Sequence, residues 1–347
     1  MAAVFSLYTV IVPMFFGYSD LRNRYISLIP MVWMHILYDY LKKHKAIRGP
    51  WLLMIFFSVI TMINTCQALI ASPYISRMIK SGGEFSDSIL KQGIGDYSFI
   101  YMLVLMTIIF FWEGMESSGK WRICYLSLAV LGEATIVLSN YMMALILSVL
   151  GIGVLLCFKI IRNNTLMLLL VILLFMVLLL FWRPLFSLIL EKVLIFIPDG
   201  KTFDRLQQMH LSLYGKGISI FDEFVLGRIP VLSISTNSII KYPFFGLIYG
   251  RLSKSLGYYV EFGQHSFILD TMALYGVGIG IMLVFLLSYP FFIEGRMKGK
   301  KREISIVFFA AMIFILGFNN ATYSLAIVLY VIYPYICDKV VKEAQLC

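Results

Sequence analysis

Residues Thr165–Trp182 read TLMLLLVILLFMVLLLFW, a run with no charged residue, no glycine and no proline. A helix needs about 20 mostly apolar residues to cross the hydrocarbon core of a bilayer. A half-buried soluble helix would show a polar residue every turn, and a membrane β-strand would alternate polar with apolar. This stretch does neither, so it predicts a membrane-spanning helix. Working outward on the same criterion, about ten spans can be marked, near residues 2–18, 26–41, 50–71, 97–113, 121–139, 141–160, 165–183, 270–293, 304–319 and 321–337. The fold expected is all-α, a polytopic transmembrane helical bundle.

Composition agrees. Of 347 residues, 60% are hydrophobic and 14% charged, with a mean hydropathy of +0.87. Soluble domains carry about 25% charged residues, so a soluble globular enzyme is excluded, as are a disordered chain and a disulfide-stapled secreted domain. Ten helices would take roughly 200 residues and leave the rest for loops. The net charge of +10 fits cytoplasmic loops facing anionic lipid. No basic stretch carries interleaved aromatics, so no nucleic-acid partner is expected. Cys66, Cys124, Cys157 and Cys337 lie in or beside apolar segments, none of the five cysteines forms a CxxC pair, and neither a disulfide nor a metal site is expected. The N-terminus lacks a basic leader and a small-residue cleavage site and reads as a retained first helix.

Lys and Arg in short loops set orientation. Lys42, Lys43, Lys45 and Arg48 follow the second span, Lys159 and Arg162 the sixth, Arg296, Lys298, Lys300, Lys301 and Arg302 the eighth, and Lys339 and Lys342 the last. Ten spans with both ends inside put all four regions on the cytoplasmic face, while Arg22 and Arg24 fall outside. Two connections are long: 72–96, and 184–264, which becomes a large extracytoplasmic loop within a single integral membrane domain covering 1–347. The larger loop contains the apolar stretches Leu185–Ile197, Ile218–Leu226 and Ile229–Ile240, which predict short helices at the outer membrane face. Irregular backbone at that depth must be covered by protein or line a wet cavity.

That loop and its exit hold Arg205, Arg228, Arg251 and His265. A guanidinium is always charged and forks onto phosphate oxygens, which suits a pyrophosphate. A neutral imidazole accepts a proton from a hydroxyl. The set suggests a pyrophosphate-bearing lipid and a hydroxyl nucleophile at the outer face. The alternative for each residue is plain: an interfacial Arg snorkels to headgroups, and a His at a helix start caps it or hydrogen-bonds. Glu133 lies within the fifth span, where a carboxylate is either functional or paired. Asp270, five residues after His265, is expected to orient the site or touch substrate. Asn319 and Asn320 mark an outer turn, and His35 with Asp39, four apart, reads as an interfacial pair.

Order and spacing add a resemblance. Gly227-Arg228 is followed by Pro243-Phe244-Phe245-Gly246, then by His265-Ser266-Phe267-Ile268-Leu269, then by Gly276-Val277-Gly278-Ile279-Gly280. This resembles the O-antigen polymerase and ligase superfamily, whose members show an Arg, a Pro-x-x-Gly turn, a His-Asn-x-x-Leu-like helix start and a glycine-rich step into the next span. Leu138-Ser139-Asn140-Tyr141-Met142-Met143-Ala144 looks like the family's Ser-rich turn. The match covers about residues 135–337. Ser266 stands where Asn is common, and the second family Arg corresponds first to Arg205 and second to Arg251.

The resemblance implies a Wzy-type membrane glycosyltransferase of the GT-C kind in the bacterial inner membrane. The growing glycan on undecaprenyl pyrophosphate would be the donor and the next lipid-linked repeat unit the acceptor, with neither metal nor cofactor and with a chain-length regulator as a possible partner. Arg228, with Arg205 or Arg251, would hold the pyrophosphate, and His265 would orient or deprotonate the acceptor hydroxyl. Asp270, Glu133 and Arg251 are the further substrate-binding candidates. A ligase with the same donor and a flippase or transporter for lipid-linked sugars are the alternatives. A transporter would show matching repeats and broken helices, and no repeat is seen.

Overall fold

The computed structural model describes residues 1–16, 22–44, 48–72, 75–80, 84–139, 141–160, 220–248, 265–294, 300–319 and 322–333, together with Glu191, Lys192 and Gln207. The run at 165–182 that sets the sequence reading lies outside them. The described residues are helical, with no strand among them. In chain order the helices are α1 (Ala2–Phe16), α2 (Arg22–Lys43), α3 (Arg48–Ala71), α4 (Ile75–Lys80), α5 (Glu84–Lys91), α6 (Tyr97–Glu116), α7 (Gly119–Leu138), α8 (Met142–Ile160), α9 (Ile220–Lys241), α10 (Phe267–Tyr275), α11 (Val277–Glu294), α12 (Lys300–Phe318) and α13 (Thr322–Ile327), the last running into a π-turn at Val328–Ile332. The chain divides into two units. One joins Met1–Leu155 with Ile234–Cys347, and the other is Leu156–Ser233. Residues 220–233 of α9 fall in the second and carry Pro230, whose carbonyl accepts a bond from Ser233 Oγ at 2.7 Å.

The first unit is built around α6. Asp96 caps its start, with a carboxylate oxygen accepting from Phe99 N–H at 2.9 Å, and Ile100 to Ile109 are buried on every side. A helix apolar all round belongs in an interior. By contrast, α3 is as apolar as α6 and α7 somewhat less so, yet only 22% and 28% of the residues in their most apolar stretches are buried, against 83% in α6. On α3 the buried face is a single stripe, Trp51, Ser58, Met62, Thr65 and Leu69. Its other face exposes Leu52, Leu53, Phe56, Phe57, Ile60, Ile63 and Ile70. Water would not tolerate such a surface, whereas lipid would. Among the described residues, α3, α6 and α7 are long and apolar enough to cross a membrane, with shorter apolar helices at Ala2–Ile11, Met143–Lys159, Val277–Phe291 and Glu303–Phe318.

Small residues let these helices approach closely, as packing in lipid requires. A Cβ on Gly132 of α7 would collide with Thr107 Oγ1 of α6, and one on Gly151 of α8 would lie 2.5 Å from Ile108 Cδ1.

Helix ends gather in two sets. Tyr97 at the start of α6, Tyr141 before α8, Phe267 at the start of α10 and Asn319 after α12 are joined by ring contacts and hydrogen bonds. Tyr38 of α2, Tyr289 of α11 and Tyr330 of the π-turn meet edge to face at ring separations of 6.3 Å. Tyr333, just beyond, stacks on Phe308 of α12 and shares a 2.6 Å hydrogen bond with Ser305.

The structure departs from the sequence expectation at the eighth span. Residues 270–293 are not one helix: α10 ends at Tyr275, and α11 begins after Gly276, whose φ of 82° and ψ of 161° only glycine adopts with ease. The two helices then pack on each other. A Cβ on Gly280 would lie 2.7 Å from Met272 Cα, although a continuous helix would hold residues eight apart at about 12 Å. The connection expected at 72–96 also contains two short helices, α4 and α5.

Candidate functional site

The Pro243–Gly246 turn and the Gly276 step lie far apart in sequence and back to back in the structure. Val277 N–H donates to the Pro243 carbonyl at 2.8 Å. Gly246, at φ 61°, leaves no space for a side chain: its Cβ would sit 2.5 Å from Leu274 carbonyl atoms and Gly276 N. A Cβ on Gly276 would strike the Phe244 carbonyl oxygen. Both glycines are thus demanded twice, by backbone conformation and by contact. Tyr8 of α1 closes the arrangement. Its hydroxyl lies 2.9 Å from the carbonyl oxygens of both Phe245 and Tyr275, and Phe5 packs edge-on against the Tyr275 ring at 5.2 Å.

This joint anchors the far end of α10, whose near end carries His265. Ser266 is its N-cap: extended at φ −133°, ψ 111°, it accepts from Leu269 N–H at 3.2 Å. Ser and Asn cap helices about equally well. Phe267 N–H donates to the Asn319 carbonyl at 3.2 Å, so α12 fixes the start of α10. His265 is half-buried immediately before that start. Asp270 stands in the first turn, where the helix dipole favours a carboxylate. It is 2% exposed and accepts from Ser235 Oγ of α9 at 2.7 Å. Ser235 lies in the part of α9 that belongs to the first unit, and the geometry suits a residue positioning that part against α10.

Of the other expected site residues, Arg228 lies on the backbone of α9 with its side chain outside the described residues, and Arg205 and Arg251 lie outside them altogether. Glu133 is on α7, where Oε1 takes a hydrogen bond from Ser148 Oγ of α8 at 3.0 Å. This bond joins two helices through a serine hydroxyl, where the sequence reading offers an Arg or a backbone donor as the structural partner. His35 and Asp39 share a face of α2: the His35 ring lies edge-on to Tyr289, whose hydroxyl is 3.4 Å from Asp39 Oδ2. Among the described residues no three of His, Cys, Asp and Glu gather where they could hold a metal ion.

Sequence reasoning passes over Ser235, Tyr8, Tyr97 and Tyr141, and gives Asn319 no role beyond a turn. Tyrosines at the first residues of apolar spans are the signal available, since such rings favour the membrane interface. What these features define is an all-helical protein with helices able to cross a membrane. The chain matches no protein-family model, no curated protein and no solved structure.

Proposed function

We propose that this protein is a polytopic enzyme of about ten spans in the bacterial inner membrane, which polymerises lipid-linked oligosaccharide repeat units at its outer face. The observation that supports this reading best is the union of its motifs. The Pro-x-x-Gly turn and the glycine step, two of the motifs on which the resemblance rests, form one joint built on Gly246 and Gly276, and the third, the His-Ser helix start, lies at the other end of the helix that this joint holds. The joint fixes the C-terminal end of α10, and the Ser266 cap sets His265 immediately before its N-terminal end.

In the reaction proposed, Arg228 with Arg205 or Arg251 binds the pyrophosphate of the donor and stabilises charge as it departs. His265 takes the proton from the acceptor hydroxyl. The acceptor oxygen forms a bond to the anomeric carbon as the bond from that carbon to the pyrophosphate oxygen breaks. Configuration inverts, and undecaprenyl pyrophosphate leaves. The experiment is complementation of cells lacking the gene. His265→Ala and Arg228→Ala proteins, present at the normal level, should yield single repeat units and no ladder of longer glycan. Full ladders from both variants would remove the assignment.

A further inference from the structure

The set of helix ends that joins Tyr97, Tyr141, Phe267 and Asn319 holds a cluster that the reaction above does not use. Tyr97 and Tyr141, both half-buried, meet at 5.2 Å with rings at 80°, and the buried Tyr101 ring underlies them at 4.8 Å from Tyr97 and 6.2 Å from Tyr141. Tyr97 donates its hydroxyl to Asn319 Oδ1 at 2.5 Å. The Tyr141 hydroxyl lies 3.4 Å from the Ser76 carbonyl. Asn319 is wholly buried, and its amide nitrogen, a donor of two hydrogens, has no acceptor among the described residues. A buried donor left without a partner is costly, and native structures keep few of them.

The chemistry of the cluster selects a ligand. Tyr97, Tyr101, Tyr141, Ser76 and Asn319 are all neutral, and the adjacent Asp96 is engaged in capping α6. Among the described side chains of this group an anion finds no counter-charge. Aromatic faces beside a carboxamide and hydroxyls suit a neutral ring that is apolar on its faces and hydroxylated at its edge. We infer that Tyr97, Tyr141 and Asn319 form a binding site for a sugar ring of the glycan substrate. A sugar hydroxyl oxygen accepts from the Asn319 amide nitrogen and supplies the acceptor that it lacks, the Tyr97 hydroxyl stays on Asn319 Oδ1, and the Tyr141 ring stacks on the sugar face. Asn319 also holds Phe267 N–H, two residues from His265, so the sugar bound here is that of the acceptor. This assignment rests on the polymerase reading for its physiological ligand, but sugar binding itself does not.

The test is saturation-transfer NMR on the full chain in lipid nanodiscs, with methyl glycosides of glucose, galactose, rhamnose and N-acetylglucosamine as probes. At least one glycoside should receive saturation from the wild-type protein. The transfer should fall about tenfold in Tyr141→Leu and in Asn319→Ala, and should persist in Tyr141→Phe, which keeps the ring. Circular dichroism and melting temperature, matched to wild type, show that the variants are folded. Should Asn319→Ala fail to fold, the contrast between Tyr141→Leu and Tyr141→Phe decides alone. No transfer to any glycoside, or equal transfer in Tyr141→Leu and wild type, overturns the site. Because none of these probes is a substrate, the result is independent of the His265 and Arg228 complementation.

Discussion

Tyr330 donates a hydrogen bond to the carbonyl of Leu286, and the reason lies four residues further along α11. Pro290 sits inside that helix and has no N–H to offer Leu286. The freed carbonyl is therefore satisfied from another element, the π-turn at Val328–Ile332, as membrane helices containing proline require. Tyr330→Phe keeps the ring contact with Tyr38 and leaves the carbonyl buried and unpaired, at a cost of about 1–3 kcal/mol. In a Pro290→Ala background, the backbone N–H restored at that position can reach the same carbonyl, and most of that cost should vanish. Thermal unfolding of the four proteins in detergent forms a double-mutant cycle. A coupling of about 1 kcal/mol or more is expected, and additive effects would show that the two residues do not share this carbonyl.

The joint between the Pro243 turn and α11 makes a sharper demand. Gly276 occupies a backbone region that is essentially closed to other residues, and its absent side chain is where the Phe244 carbonyl sits. Gly276→Ala should destabilise by about 2 kcal/mol or more and abolish glycan ladders in cells. Gly278, two residues on, has open space around the position of a Cβ and lies within a helix, where alanine is preferred. Gly278→Ala should melt at or slightly above the wild-type temperature and leave ladders intact. Equal sensitivity at the two positions would mean that glycine is needed along this whole stretch for some reason other than the joint.

Hydropathy alone makes much of this bundle legible, because a lipid-facing helix announces itself by length and lack of charge. The expected 50–71 is Arg48–Ala71 in the structure, and the expected 121–139 is Gly119–Leu138. The break at Gly276 is invisible to that criterion, since Leu274, Tyr275, Val277 and Ile279 are apolar on both sides of it. Hydropathy carries no information on backbone dihedrals. The glycine-rich motif reads as a step between spans, but nothing local says that Gly246 will be its partner. Asp270 is legible as a neighbour of His265, yet its bond to Ser235 joins residues 35 apart, and such pairings are set by packing. Asn319 shows the same limit: an asparagine after an apolar helix reads as a turn residue, and only the tertiary arrangement gives it Tyr97 and Phe267.

Orientation can be tested without reference to activity. The basic loops after the second, sixth and eighth of the spans expected from sequence would place His44 inside and the Pro243 turn outside, while Arg22 and Arg24 argue the other way for the first connection. Phe244 is 82% exposed at the tip of that turn, and His44 is exposed just after α2, so both positions accept a reporter without disturbing packing. All five native cysteines would first be replaced by serine or alanine. In intact cells with a permeabilised outer barrier, a membrane-impermeant maleimide should label Phe244→Cys fully and leave His44→Cys unlabelled until the inner membrane is broken. The reverse pattern would put His265 and the α10 helix start on the cytoplasmic side. A lipid-linked glycan assembled and flipped outward would then never meet them, and the polymerase reading would fall on geometry alone.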